Sequence, residues 1–212
     1  MTQAALVLDN LVVQQQKQTL IRLSTCINAG QIVTIMGPSG VGKSSLLSAI
    51  AGLLPDGLTC EGTIWLNGQN ITHMPAYQRR TGLLYQDALL FEHLDVAGNI
   101  AFGMPRGNRG QRRELTQAML EQVGLSDMAA RPVTTLSGGQ QARVALLRTL
   151  AAKPAALLLD EPFSKLDSRT RQTTRDWVFT QIQEAGLPAL LVTHDKQDAL
   201  ATGDKIIEVT PC

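Results

Sequence analysis

The sequence GPSGVGKS at residues 37–44 constrains the fold of this chain more than any other stretch. It follows residues 31–36, an apolar run that predicts a buried strand, and it leads into residues 43–52, whose apolar spacing predicts a helix. Glycines let successive backbone N–H groups point toward one centre, and a helix N-terminus adds positive partial charge there. A strand, such a loop and a helix in this order are typical of a phosphate-binding loop.

This loop is predicted to bind the phosphates of a nucleotide. Lys43 would reach the outer phosphates, and the Ser44 hydroxyl would bind Mg²⁺. A glycine- and serine-rich turn that only caps a helix is the alternative, and the flanking strand and helix argue against it. The predicted phosphate-binding residues are Gly37, Pro38, Ser39, Gly40, Val41, Gly42, Lys43, Ser44 and Ser45.

A second candidate element consists of four apolar residues and two acidic ones, ALLLDE at residues 156–161. A buried parallel strand carries its last residues to the edge of the sheet where ligands bind. Asp160 is predicted to hold Mg²⁺, mainly through water ligands, and Glu161 to polarise the attacking water. Acidic residues after an apolar strand are often solvated strand ends, so this assignment depends on the phosphate loop. Together the two elements predict Mg²⁺-dependent hydrolysis of ATP or GTP.

Strands alternate with helices along most of the chain, which predicts a mostly parallel α/β sheet covered on both faces. Strands are predicted over residues 6–13, 19–27, 31–36, 61–66, 81–86, 155–159, 188–193 and 206–209. Helices are predicted over residues 43–52, 114–123, 138–152, 169–184 and 196–201, and a loop over residues 103–110.

Composition narrows the class of protein and its compartment. The 19 basic and 18 acidic residues give a net charge of +1, so no overall field draws the chain to nucleic acid or anionic lipid. Cys26, Cys60 and Cys212 show no CxxC spacing, which fits a reducing compartment. The first 30 residues lack the order of a signal peptide, and no stretch approaches the roughly 18 apolar residues needed to span a bilayer. We expect a cytosolic protein that needs another polypeptide to act at a membrane.

Residues 136–144, LSGGQQARV, place two glycines after Ser137 at the start of a predicted helix. They form a second cluster of N–H groups suited to an anion, although a serine-capped helix start is the local alternative. With these three elements in this order, the chain from about residue 7 to residue 209 strongly resembles the ATP-binding subunits of ABC transporters, whose signature is LSGGQ. The resemblance implies a P-loop NTPase (RecA-like) core with a mostly parallel sheet, an N-terminal antiparallel β subdomain and an inserted helical subdomain. We expect one domain, with its core at residues 1–86 and 154–212 and the helical subdomain at residues 87–153.

The resemblance also implies roles for matching positions. Gln86 matches the glutamine that contacts Mg²⁺ and the attacking water, so the expected metal-contacting residues are Ser44, Gln86 and Asp160. His194 matches the histidine that contacts the γ-phosphate, so the expected catalytic residues are Glu161, His194 and Gln86. Two copies would enclose two Mg²⁺–ATP, each bound by the phosphate loop of one copy and by the signature of the other, at Ser137, Gly138, Gly139 and Gln140.

By resemblance, the function is to couple ATP hydrolysis to solute movement through a separate integral-membrane permease. Import is favoured by analogy, a solute-binding protein would be a further partner, and the expected location is the cytoplasmic face of the inner membrane. The alternative is a soluble ABC-type ATPase that acts as a mechanical switch on the ribosome or DNA. Such proteins usually carry tandem cassettes or long coiled-coil insertions, and no nucleic-acid partner is expected here. A kinase is disfavoured by the signature and by His194.

Residues 88–100 resemble the stretch of importer subunits that receives a short helix of the membrane partner. Leu89, Leu90 and Phe91 would then form a docking surface, and packing within the subdomain core is an equally open alternative.

The sequence departs from the family pattern in two places. Residues 14–16, QQQ, stand where relatives stack an aromatic ring on adenine, so we expect weaker and less base-selective nucleotide binding. Lys165, in the SKLD segment expected to cross between copies, replaces a small apolar residue. It would either strengthen closure or point to solvent.

Overall fold

The computed structural model describes residues 4–210 of the 212-residue chain, with two compact units. The first comprises the described residues up to 83, residues 155–161 and the described residues from 179 onward. The second comprises residues 84–154 and 162–178, so it includes the segment after Glu161. The division into residues 1–86 with 154–212 and residues 87–153 stays a prediction. Cys212 lies outside the described residues, and Cys26 and Cys60 are free, exposed thiols.

An antiparallel sheet contains the four strands β1 (Ala4–Gln15), β2 (Gln18–Asn28), β4 (Leu58–Leu66) and β5 (Gln69–Asn70) in the order β2-β1-β4-β5. The turn between β1 and β2 has two residues, Gln16 and Lys17, with φ of 49° and 69°. Positive φ at both positions matches the twist of a tight hairpin, so β1 and β2 pair directly after the turn.

The other sheet contains β3 (Ile32–Met36), β6 (Thr81–Leu84), β7 (Ala156–Asp160), β8 (Ala189–Val192) and β9 (Ile206–Glu208) in the order β6-β7-β8-β3-β9. The pairs β7 with β8, β8 with β3 and β3 with β9 are parallel. Every residue of β7 and β8 is buried, as the continuous apolar runs predict. The carboxyl ends of these strands therefore provide the edge at which a site can form.

The helices of the first unit include α1 (Lys43–Ala51), the short α2 (Ala76–Arg79) and α7 (Lys196–Ala201). Leu46, Leu47 and Ile50 of α1 pack into the same core as β3, β7 and β8. Helix α6 (Ser168–Glu184) begins in the second unit and ends in the first. No helix within residues 4–210 is long and apolar enough to cross a membrane.

The second unit is built mainly on α3 (Val96–Gly103), α4 (Arg109–Gln122) and α5 (Gly138–Ala151), with short 3-10 turns at Ser126–Met128 and Val133–Thr135. The side chains of Asp95 and Asn108 accept hydrogen bonds from the first backbone N–H groups of α3 and α4. The core of this unit contains Val96, Ile100, Leu120, Val144 and Leu147.

Two local expectations need correction, and one short helix was not expected. The strand predicted over residues 81–86 ends at Leu84, so Gln86 lies on exposed coil. The loop predicted over residues 103–110 is shorter, because the Asn108 side chain accepts from Gly110 N and Gln111 N and starts α4 at Arg109. Helix α2 was not predicted, and it is a single turn that follows Pro75.

Candidate nucleotide site

The phosphate loop connects β3 to α1 with the backbone geometry that its glycines allow. Gly40 and Gly42 have φ of 84° and 90°, values that residues with a side chain rarely adopt. Gly42 is the N-cap of α1 and offers no side-chain cap to the first turn. The first N–H groups of a helix have no intrahelical partner, so this helix start can donate to an anion.

Gly37 is closely packed against Val209, the residue that follows β9. A Cβ atom at Gly37 would lie 2.5 Å from the Val209 carbonyl oxygen and 2.7 Å from its Cγ2. Val209 N donates to Met36 O at 2.8 Å, which holds the two segments together. The loop therefore begins where no larger residue fits.

Lys43 is held against the loop that it follows. Its Nζ donates to Gly37 O at 2.8 Å and to Pro38 O at 2.7 Å, and the residue is only 7% exposed. The ammonium group is therefore oriented toward the inside of the loop by the loop's own backbone. A phosphate bound there would meet a cation that needs little rearrangement.

Ser44 and Asp160 are in direct contact. The Asp160 carboxylate accepts a hydrogen bond from the Ser44 hydroxyl. Burial raises the pKa of Asp160 above its usual value, whereas the Ser44 hydrogen bond and the Lys43 charge lower it and the Glu161 charge raises it. A hydroxyl and a carboxylate are oxygen ligands of the kind that Mg²⁺ prefers, so the residues present fit this ion.

Glu161 and His194 form a second pair at the ends of β7 and β8. Glu161 Oε1 lies 2.8 Å from His194 Nδ1, and the side chains are 15% and 64% exposed. Glu161 has a φ of 47° and donates its N–H to Val192 O, which turns the chain sharply at the strand end. The first unit therefore brings together Lys43, Ser44, Asp160, Glu161 and His194 in its own loops and strand ends.

The signature residues lie in the second unit at the start of α5. Ser137 Oγ accepts from Gln140 N at 3.3 Å, and Gln140 Oε1 accepts from Ser137 N at 2.9 Å. This reciprocal capping box fixes the helix start, and Ser137 and Gly138 are exposed. Arg143 donates to Gly139 O at 3.4 Å. Burial lowers the pKa of Arg143, and the Asp167 charge opposes this with a smaller effect.

The second unit also contains Gln86 and the stretch at residues 88–100. Gln86 is exposed, and its expected contact with metal and water stays a prediction. Leu90 packs against the core of the unit, whereas Leu89 is 60% exposed. The Phe91 ring lies 4.6 Å from the Phe102 ring, and the Arg148 guanidinium lies 5.2 Å from the Phe91 ring. The sequence alone leaves Leu89, Leu90 and Phe91 open to either a docking or a packing role. In the structure Leu90 packs against the core and Leu89 lies on the surface.

Sequence reasoning missed Arg79, whose guanidinium supports the end of α1. Its nitrogens donate to Met74 O, Ala49 O, Ile50 O and Thr72 O at 2.7–2.9 Å, and the residue is buried. It also missed Val209 beside Gly37. Neither residue belongs to a motif, and no sequence signal marks a backbone contact between distant segments.

Comparison with known proteins places these motifs in a family. Residues 20–164 match the family described as ABC transporter. The chain is 46% identical over 187 residues to the ABC transporter ATP-binding protein YnjD of Escherichia coli strain K12, which covers 88% of this chain and 86% of YnjD. It is 44% identical over 183 residues to the sulfate/thiosulfate import ATP-binding protein CysA of Nephroselmis olivacea, which covers 85% of this chain and 52% of CysA.

Among solved structures, the fold matches a dimeric post-hydrolysis state of the ATP-binding cassette MJ0796 bound to ADP and Pi. The TM-score is 0.84 at 30% identity, over 97% of this chain and 94% of the other. The expected fold class, a P-loop NTPase core with an antiparallel β subdomain and an inserted helical subdomain, is thereby confirmed. The chain spans about half the length of CysA and most of YnjD. This chain belongs to the ABC transporter family, as one of its ATP-binding subunits.

Proposed function

We propose that this chain hydrolyses ATP in a Mg²⁺-dependent reaction and transmits the resulting opening of a dimer to a membrane permease. The observation that carries this proposal is the cluster in the first unit. Lys43 faces the loop interior, Ser44 donates to Asp160, and Glu161 contacts His194, all within one compact unit. A site that binds a chain of phosphates and activates a water molecule requires groups of these kinds.

Each residue of the cluster has a separate task. The backbone N–H groups of the loop and the Lys43 ammonium bind and orient the phosphates. Ser44 and Asp160 would hold Mg²⁺, together with Gln86, and this ion supplies positive charge that offsets the charge of the phosphate oxygens. Glu161 accepts a proton from the attacking water, and His194 orients the carboxylate and contacts the terminal phosphate.

The signature residues are proposed to complete the site of a second copy. Exposed Ser137 and Gly138 at the start of α5 offer hydrogen-bond donors to an anion, whereas the site in the first unit has its own lysine, Lys43, and its own carboxylates, Asp160 and Glu161. The dimeric, ADP- and Pi-bound state of the MJ0796 cassette supports an arrangement in which two copies share nucleotide. Loss of the terminal phosphate removes the charge that both copies bind, so the dimer opens.

A permease and a position on the cytoplasmic face of the membrane are proposed as the context of this reaction. Support comes from relatives named as import ATP-binding proteins, such as CysA for sulfate and thiosulfate. Exposed Leu89 and Phe102, 60% and 66% exposed, give the second unit an apolar surface for such a partner. Import with a solute-binding protein is the direction that these relatives favour.

The variant Glu161→Gln tests the chemistry and the dimer together. It retains the Lys43 and Asp160 contacts but lacks a carboxylate that can accept a proton, so we expect ATP to bind without turnover. With Mg²⁺–ATP, light scattering should show a mass twice the 22.9 kDa of one chain, and ATP hydrolysis should fall at least about 100-fold.

The matched control is Glu161→Gln combined with Lys43→Met, which removes the cation of the loop and should stay monomeric. A Glu161→Gln protein that stays at 22.9 kDa with saturating Mg²⁺–ATP, or that hydrolyses at the wild-type rate, contradicts the proposal.

The membrane context has its own test. Affinity purification from detergent-solubilised cells should recover an integral-membrane protein. Recovery of ribosomal proteins without a membrane protein would instead favour the soluble mechanical ATPase.

A further inference from the structure

Lys165 lies in the second unit, in the segment that follows Glu161, and it forms an ion pair across 78 positions of sequence. Its Nζ lies 2.6 Å from Asp87 Oδ1, and the two side chains are 39% and 80% exposed. Asp87 directly follows Gln86. An ion pair this accessible to water contributes little and is readily exchanged for another partner.

The same lysine lies against the signature glycines. A Cβ atom at Gly138 would lie 4.0 Å from Lys165 Cδ, and a Cβ atom at Gly139 would lie 3.2 Å from the Lys165 carbonyl oxygen. The Lys165 side chain therefore runs past the first residue of α5, with its ammonium group two bonds beyond the atom that reaches Gly138. The backbone at Lys165 therefore lies close to the second residue of α5, where a larger side chain would make a tight contact.

A cation beside the start of α5 would strengthen its binding of a phosphate. The capping box already engages the N–H groups of Ser137 and Gln140. Arg143 is directed to Gly139 O and Val123 O, so its guanidinium donates to backbone carbonyls. Lys165, by contrast, is a flexible cation whose partner is an exposed carboxylate.

We propose that Lys165 binds the terminal phosphate of the nucleotide held by a second copy of this chain, leaving Asp87 when the two copies close. This inference rests on the proposed function, because it assigns one more binding residue to the shared site. A hydrogen bond from an ammonium group to an ionised phosphate in a site that excludes water is stronger than a solvated pair with Asp87. Release of the phosphate would return Lys165 to Asp87.

The test measures the ATP concentration at half-maximal dimer formation, in the Glu161→Gln protein with Mg²⁺. Lys165→Met should raise that concentration about tenfold, whereas Lys165→Arg, which keeps the cation, should stay within about threefold. Lys153→Met is the matched control, because Lys153 is another exposed lysine of the second unit. If the parent protein does not dimerise with ATP at all, the proposed function fails and this inference with it.

Asp87→Asn separates phosphate binding from simple neutralisation of Asp87. If Lys165 binds phosphate, Asp87→Asn should leave dimer formation as strong as in the parent or stronger, and adding Lys165→Met should weaken it again about tenfold. Two results overturn the inference while leaving the proposed function standing. One is a Lys165→Met protein within twofold of its parent, and the other is a double variant that recovers the parent concentration.

Discussion

The two helix starts that are expected to meet a phosphate, those of α1 and α5, are prepared in different ways. At α1 the N-cap Gly42 offers no side chain, and Lys43 is 7% exposed and bonded to the loop backbone. At α5 a capping box closes the helix start, and the nearby cation, Lys165, is 39% exposed and paired with a carboxylate. The first start is thus open to an anion beside a buried, hydrogen-bonded lysine, and the second is self-capped beside a partly exposed lysine that pairs with a carboxylate.

This difference fits the division of labour proposed above. A site that must bind nucleotide within one chain benefits from groups that are already oriented, because little ordering is then needed on binding. A surface that must engage and release a second copy in each cycle has to be stable when exposed to water. A self-capped helix and an exchangeable ion pair meet that requirement.

The largest expected effect concerns Arg79, which supports the end of α1 in the first unit. Arg79→Met should lower the free energy of unfolding of the first unit by about 3–5 kcal/mol, because the carbonyl oxygens of Met74, Ile50 and Thr72 lose a donor at about 1–3 kcal/mol each, whereas Ala49 O keeps its bond from Gly52 N. Burial lowers the pKa of Arg79, with the Cys60 charge opposing, and the four hydrogen bonds satisfy the guanidinium that is buried there. Urea unfolding followed by Trp65, in a Trp177→Phe background, reports on this unit.

Arg148→Met is the matched change in the second unit. Arg148 is half-buried and donates to Leu89 O at 2.9 Å and Ala88 O at 3.1 Å. We expect a loss of about 1–2 kcal/mol, read from Trp177 in a Trp65→Phe background. Equal losses of unfolding free energy for the two arginine variants would contradict the expectation that buried hydrogen bonds support the first unit more strongly than the second.

The next effect concerns the close packing at the start of the phosphate loop. Gly37→Ala would place a Cβ 2.5 Å from the Val209 carbonyl, so either the loop or the last strand must move. We expect ATP affinity by calorimetry to fall about 10- to 100-fold, which corresponds to about 1.4–2.7 kcal/mol. Gly107→Ala is the control, because an added Cβ meets nothing within 4 Å there. An affinity within twofold of wild type would show that the packing is not needed for binding.

The smallest effect is a contrast in pH dependence between two aspartates. Burial raises the pKa of Asp160 in the first unit, whereas hydrogen bonds from Thr170 lower the pKa of Asp167 in the second unit. Above the ordinary value of about 3.9, folded Asp160 retains a proton that the unfolded chain has lost. Its contribution to stability is therefore complete below that value and decreases as pH rises through the raised pKa.

The contribution of Asp167 to stability depends on pH in the opposite direction. Its contribution is complete above about 3.9 and is lost as pH falls through the lowered pKa of the folded state. Without nucleotide, the stability difference between wild type and Asp160→Asn should decrease with rising pH, and that between wild type and Asp167→Asn should decrease with falling pH. Urea midpoints from about pH 3 to pH 6 test both. If the two stability differences change in the same direction with pH, the two carboxylates are not in contrasting environments.

Much of the local structure follows from contiguous sequence. The apolar run before Asp160 forms a fully buried strand, and the serine and glutamine of the signature form the capping box that their spacing allows. Such features depend on residues a few positions apart, which the sequence displays directly. The end of β6 at Leu84 was missed, because a strand ends where its neighbour stops pairing.

The sequence by itself determined the motifs, their order and the family, since each motif is a short run whose chemistry depends on its own spacing. Only the tertiary structure decided which distant groups support them: Val209 beside Gly37, Arg79 at the end of α1, and Asp87 paired with Lys165. The physical reason is that a hydrogen bond or close contact depends on the position of two atoms in space. Chain folding brings those atoms together from positions whose separation in sequence carries no periodic signal.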